Sequence, residues 1–172
     1  MTRILDDRSL DSLFRAARSC RAWLDKPVSD AIIEAVWELA KLPPTSTGAH
    51  PARIVFIRSL EAKQQLLPAL TAEDRASAAA APVNAILGYD SAAGAAALRD
   101  ATLQAGYLIL AARAIGLDCA PLALADPGRV DRKFFAASGI KGSFVCNLGY
   151  GDPGAVDDAT TPPSFEEACR IV

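Results

Sequence analysis

Two short stretches hold the side chains that could do chemistry. In "ARSCRAW", Arg18, Ser19 and Arg21 lie together. Read as helix, Arg18 and Arg21 are three residues apart and share a face, with Ser19 beside them. Two guanidinium groups and a hydroxyl suit a phosphate, which offers several acceptor oxygens and negative charge. The same residues also describe a solvated basic helix face, the commoner use of such charges. The second stretch is "PPTSTGAHPARIVFIR", where Thr45, Ser46, Thr47 and the chain's single histidine, His50, stand in a polar loop before an apolar run. Such a loop can present hydroxyls to a ligand, or it can be an ordinary helix-exit turn with a surface histidine.

Other chemistries find no support. There is no GxSxG elbow, and a lone His50 near Ser46 is not a triad. Cys20, Cys119, Cys146 and Cys169 form no CxxC pair, and one histidine cannot complete the usual zinc patterns. The expectation is four free thiols, mostly buried. A net charge of −2 is unlike the basic footprint of a nucleic-acid binder. No run is long and apolar enough to suggest a membrane span, and "MTRILDDRSLDSLF" lacks a signal peptide's apolar segment. The expectation is a cytoplasmic protein.

The elements that must position these residues follow from periodicity. Leu10, Leu13, Phe14, Ala17 and Trp23 form an apolar stripe that predicts a helix over 8–23. "DKPVSD" breaks it, and Ser29 or Asp30 caps a second helix through about Lys41. "RIVFI" is apolar on both faces and predicts a strand covered on both. Ser59 caps a helix that Pro68 ends. A helix to about Ala81 and a strand from Val83 to Tyr89 follow. The longest helix runs from about Ala95 to Ile115, apolar nearly all round, with small residues that permit close approach. Gly116 stops it. "LDCAPLAL" predicts a short strand, "DPGRVDRKFFAAS" a helix and "SFVCNLGYGD" a last strand and turn. Ser164 and Glu167 form a capping pattern. At 172 residues, with no repeat or linker, the chain reads as one α+β domain, a small sheet sandwiched by helices, one long and central.

The order of these motifs resembles the nitroreductase family of FMN-dependent oxidoreductases. Within that family it most resembles the subgroup containing malonic semialdehyde reductase. The segments that carry the resemblance are "ARSCRAWLDKPVSD", "PPTSTGAHPARIVFIR", "APVNAILGYD", "LQAGYLILAARAIGLDCAPL" and "NLGYGD" followed by "SFEEAC". The resemblance implies a mostly antiparallel sheet and a homodimer with two FMN sites at the subunit interface. NADH or NADPH would be the reductant, and the acceptor a nitro compound, quinone, enone or small aldehyde. It places Arg18, Ser19 and Arg21 at the cofactor's phosphate and ribityl chain. Ser46, Thr47, Gly48 and His50 fall under the ribityl hydroxyls and the ring's pyrimidine edge, and Pro121 and Leu122 beside the ring.

Five departures from the family pattern stand out. Gly48 replaces a loop asparagine, and Ala17 replaces an arginine. Leu124 replaces a glycine, so its side chain is expected to obstruct the ring. "DDATTPPSFEEA" offers no basic residue where an arginine usually supports the phosphate. Between "GYD" and "ALRDATLQ" only "SAAGAA" stands in place of a longer lid segment. These features leave a second reading open, a flavin-free homodimer with a binding or regulatory role.

Overall fold

The computed structural model describes residues 4–155 and 161–172. Four antiparallel strands form one sheet: β1 (Ala52–Ile57), β2 (Val83–Asp90), β3 (Asp118–Ala123) and β4 (Ile140–Gly149), in the order β1-β2-β4-β3. One transverse row reads Ile57, Asn84, Asn147, Ala120. Side chains alternate between the faces of each strand, and each face meets its own helices. On one face Ala85, Leu87, Cys119, Cys146 and Leu148 pack with α2 (Asp30–Ala40) and α5 (Ala97–Ala114). On the other, Ile57, Ile86 and Val145 pack with α3 (Leu60–Leu66), α4 (Arg75–Ala80) and α6 (Pro127–Phe134). The sandwich around a long central helix is therefore present as expected.

Local signals account for most element ends. The Ser29 hydroxyl accepts from the Ile32 amide at the start of α2, and the Ser59 hydroxyl accepts from Ala62 at the start of α3. Pro68 ends α3 in a single 3-10 turn. Asp126 caps α6 with Pro127 in its first turn. The short α7 (Phe165–Ala168) carries the reciprocal capping box of Ser164 and Glu167. Small residues line the buried side of α5: Ala101, Ala105 and Ala112 bring it close to the sheet, and Leu108 is fully buried there. Burying one such leucine contributes about 2 kcal/mol. The opposite side of α5 is not covered, and Leu98 and Leu103 are 47% and 40% exposed.

Two expectations need correction. The helix predicted over 8–23 is only α1 (Asp7–Leu10) and a π turn (Asp11–Arg15). Beyond it the chain is drawn out along the end of β4. The Leu24 amide donates to Tyr150 O at 2.8 Å, the Asp152 amide donates to Ala22 O at 3.1 Å, and Trp23 bridges to Gly151. Cys20 is pressed so close to Gly151 that a Cβ there would clash with its sulfur. These tertiary bonds outweigh a modest helix preference. The second correction concerns β1. It lies at the edge of the sheet, so Ile54, Val55 and Phe56 touch core on both faces and yet remain half-buried.

Cys20, Cys119 and Cys146 are buried and Cys169 is exposed. No described helix is long and apolar enough to cross a membrane. Among the described residues no cluster of three or more His, Cys, Asp or Glu side chains could hold a metal ion.

Candidate functional site

The drawn-out segment after Arg15 leaves a cleft where it passes α4 and β3. Ser19, Cys20 and Arg21 form one wall, Glu73, Asp74, Ala76 and Ser77 another, and Ala120, Pro121 and Leu122 the strand edge. Its volume is about 280 Å³. That falls just below the range for small-molecule sites, about 300–1,000 Å³. Two features suit the phosphate and polyol end of a flavin nucleotide. The Ser77 hydroxyl is buried without a hydrogen-bond partner among the described residues, and such a group ordinarily has one. Arg21 supplies a cation, held 3.3 Å from the Glu73 carboxylate in an exposed ion pair. Beneath the cleft, Asn84 Nδ2 donates to Asn147 Oδ1 at 2.7 Å and to Ala78 O at 2.9 Å. β3 is the sheet's other edge, so backbone groups on its outer side are open to a ligand.

Arg18 and Arg21 do not share a helix face, because that helix has already ended. Arg18 Nη1 turns back to donate to Arg15 O at 3.0 Å and Ala17 O at 2.7 Å, while Arg21 alone lines the cleft with Ser19.

The hydroxyl loop lies elsewhere. It leads into β1, the opposite edge of the sheet, three strand spacings or about 14 Å from β3. It packs against α5, on the other face. There Asp100, with a side chain only 1% exposed, collects its donors. Ser46 donates to Asp100 Oδ1 through its amide at 3.1 Å and also through its hydroxyl, and the Thr47 hydroxyl donates to Oδ2 at 2.5 Å. These bonds, Ser46's first and then Thr47's, hold the Asp100 carboxyl at about 2, against the pull of burial. Arg99 completes the group, donating to Ser46 Oγ from Nη2 at 2.7 Å and from Nε at 3.2 Å. His50 is exposed, with Nδ1 3.2 Å from Gln104 Nε2. Gly48 has φ +73°, a conformation favouring glycine, and open space where a Cβ would stand.

The predicted site residues thus fall into two groups. Ser19, Arg21, Pro121 and Leu122 meet in the cleft, whereas Ser46, Thr47, Gly48 and His50 gather at the far edge with their hydroxyls turned inward. Leu124, expected to obstruct the ring, is not among the residues that line the cleft. Its side chain packs with the α6 core and lies within 3.4 Å of where a Cβ on Gly142 would stand. Asp157 to Thr160 of the arginine-free tail lie outside the described residues. Sequence reasoning missed Glu73, Ser77, Arg99, Asp100 and Gln104. Asp100 and Gln104 did carry a signal: two polar residues at i and i+4 on the buried stripe of an apolar helix.

The connection from β2 to α5 is a 3-10 turn at Ser91–Ala93 and a turn at Gly94, too small to roof either group.

Comparison with known proteins gives concordant results. Residues 14–81 match the Nitroreductase family. A protein of Stenotrophomonas maltophilia named "Putative NADH dehydrogenase/NAD(P)H nitroreductase Smlt0482" is 42% identical, the match covering 99% of this chain and 100% of that one. The alignment runs over 195 positions against 172 residues here, so at least 23 positions have no counterpart in this chain. A Burkholderia lata protein of the same naming is also 42% identical, over 97% of this chain and 98% of its own length. Among solved structures, the Bacillus subtilis protein described as "putative nitroreductase ydfN" superposes with a TM-score of 0.85 at 15% identity, covering 97% of this chain and 100% of that one. A Bacteroides thetaiotaomicron protein gives 0.80 at 20% identity, covering 97% and 98%. Fold and sequence agree, and the chain belongs to the nitroreductase family.

Proposed function

We propose that this protein is an FMN-dependent NAD(P)H oxidoreductase that acts as a homodimer on a small organic acceptor. The observation that carries the reading is the cleft. It sets Arg21, Ser19 and the unpartnered Ser77 hydroxyl beside an open strand edge, a donor set fitting a phosphate and polyol. When bound, FMN supplies the hydride chemistry, accepting from NADH or NADPH and delivering to the acceptor. The chain's own residues bind and orient. Arg21 and Ser19 take the phosphate, Ser77 a polyol hydroxyl, and the Pro121–Leu122 edge the ring's flank. The names of the relatives support NAD(P)H as reductant.

The same separation supports the homodimer. One chain cannot bring the 45–50 loop to its own cleft, because they lie at opposite edges and faces of one sheet. A second copy can, and the uncovered side of α5, with Leu98 and Leu103, is an apolar face suited to it. The short β2–α5 connection leaves the substrate side open, which suits acceptors of varied shape: nitro compounds, quinones, enones, or an aldehyde such as malonic semialdehyde.

The competing reading, a flavin-free homodimer with a binding or regulatory role, draws on the carboxylates Glu73 and Asp74 in the cleft, which repel a phosphate. The visible spectrum of the purified protein, before and after incubation with FMN, separates the two. A retained flavin spectrum with FMN-dependent NAD(P)H oxidation is expected. A colourless protein that takes up no FMN overturns the oxidoreductase reading. Sedimentation at micromolar concentration should report two chains per particle, and a monomer there overturns the interface.

A further inference from the structure

The hydrogen bonds of the 44–52 loop run inward. A hydroxyl has one proton to give, and an ionised carboxylate has none. Ser46 Oγ and Thr47 Oγ1 both stand against Asp100, so both protons point into the protein. The lone pairs of Ser46 then accept Arg99 Nη2 and Nε. Neither hydroxyl has a proton left for a ligand. Gly48 has no side chain to supply one. Arg99 does: its guanidinium carries five N–H donors, the loop uses two, and the side chain is 64% exposed.

The hold continues along α5. Asp100, Gln104 and Tyr107 are at i, i+4 and i+7 on one side of the helix. Gln104 Oε1 accepts from the Ala52 amide at 3.0 Å, its Nε2 lies beside His50, and the Tyr107 hydroxyl donates to Pro44 O at 2.8 Å. Three polar side chains, spread over about 10 Å of helix, thus pin the loop from Pro44 to Ala52.

We propose that Asp100 is a positioning residue for this loop, and that by drawing the Ser46 and Thr47 protons inward it leaves the Arg99 guanidinium as the outward hydrogen-bond donor at Ser46, beside the exposed His50 ring. The inference rests on the reading of the loop as the ring-edge half of an FMN site. A cationic donor there favours the reduced, negatively charged flavin over the oxidised one, which a neutral hydroxyl does far less. Geometry carries the assignment, and the strongly acidic Asp100 carboxyl keeps the arrangement in place through the neutral range.

The test uses the full chain and four variants: Asp100→Ala, Asp100→Asn, Arg99→Gln and Arg99→Lys. Three quantities are read: amide exchange of the 44–52 segment without FMN, FMN affinity by fluorescence quenching, and the ratio of reduced to oxidised FMN affinity from the bound potential. Asp100→Ala should speed loop exchange and weaken FMN by about tenfold each, the scale of one charge-assisted bond. Exchange in β2 and β4 should be unchanged, which certifies the fold, and Asp100→Asn should fall between. Arg99→Gln should leave loop exchange nearly as it was and lower the reduced-to-oxidised ratio by about tenfold. Arg99→Lys should recover part of it.

Unchanged loop exchange in Asp100→Ala overturns the positioning role. A loosened loop with unaltered FMN affinity overturns it as well, while leaving the cleft's reading intact. An unaltered affinity ratio in Arg99→Gln overturns the donor role. If the parent protein takes up no FMN, the flavin reading fails and the donor role with it, and loop exchange still decides whether Asp100 holds the loop.

Discussion

Ser77 in the cleft keeps a buried hydroxyl with no partner among the described residues, whereas Ser46 in the loop has its amide and hydroxyl both bonded to Asp100 and two Arg99 donors on its oxygen. The two serines stand for two kinds of region. In the cleft Arg21 stands against Glu73 in an exposed pair. Exposed pairs are worth about 0–1 kcal/mol, so a phosphate competes with Glu73 for Arg21 at little cost. The loop's polar groups are already satisfied around a buried carboxylate, and such groups set geometry more than they bind. Residue type alone does not distinguish a group that awaits a ligand from one that has found its partner inside the fold.

Several substitutions probe that contrast. The largest effect should come from Leu124→Gly, at the end of the cleft strand. Because Leu124 packs with the α6 core, its removal should cost about 2–3 kcal/mol of stability, toward the low end for leucine truncation plus a glycine's backbone entropy. Urea unfolding measures it. A stable variant with tighter FMN binding would return Leu124 to the cleft.

Arginine comes next. Arg21→Ala should weaken FMN by about tenfold or more, as expected for a lost charge-assisted bond. Arg18→Ala should change it by only about twofold, because Arg18 is spent on Arg15 O and Ala17 O. FMN titrations at low and high salt compare them, and equal effects would restore the shared-face reading.

Ser77→Ala is the sharpest comparison with the loop. It removes a hydroxyl that bonds to no described residue, so folding stability should be unchanged or slightly higher. FMN affinity should fall about fivefold, near 1 kcal/mol. Ser46→Ala should do the reverse in kind, speeding loop exchange first. Unfolding curves and titrations on both variants separate these outcomes.

The loop should also resist acid. The folded-state value of Asp100, about 2, lies below the ordinary 3.8. Its contribution is therefore complete above about 3.8 and is lost as pH falls through about 2. Amide exchange of residues 44–52, corrected for intrinsic rates, should be flat from pH 7 to about 4 and rise below about 3. Loosening near pH 5 would contradict the bonding described.

The smallest effect belongs to Gly48→Asn. Asparagine tolerates positive φ better than other side-chain-bearing residues, and nothing lies within 4 Å of the added Cβ. Stability should change by less than about 1 kcal/mol, and FMN binding should tighten modestly where the new amide meets the ring.

Much of the fold is legible in the sequence because its signals are local. Ser29, Ser59, Pro68, Asp126 and Ser164 mark element ends by chemistry acting within a few residues. The length of α5 and the strands in "RIVFI", "LDCAPLAL" and "SFVCNLGYGD" and from Val83 are legible as apolar segments, although the last strand begins at Ile140, three residues before its apolar run. The family, too, is legible, because its segments keep their order along the chain. Tertiary structure alone decided the rest. The helix over 8–23 stops at Arg15 because residues 22–24 find backbone partners just beyond the end of β4, at Tyr150 to Asp152, more than 120 positions away. Ser46 and Thr47 turn inward because Asp100, over 50 positions on, is carried to them by α5. Sequence could mark Asp100 and Gln104 as buried polar residues in need of partners. Which groups would satisfy them depends on contacts across the sheet and helices, and those exist only once the chain has closed on itself.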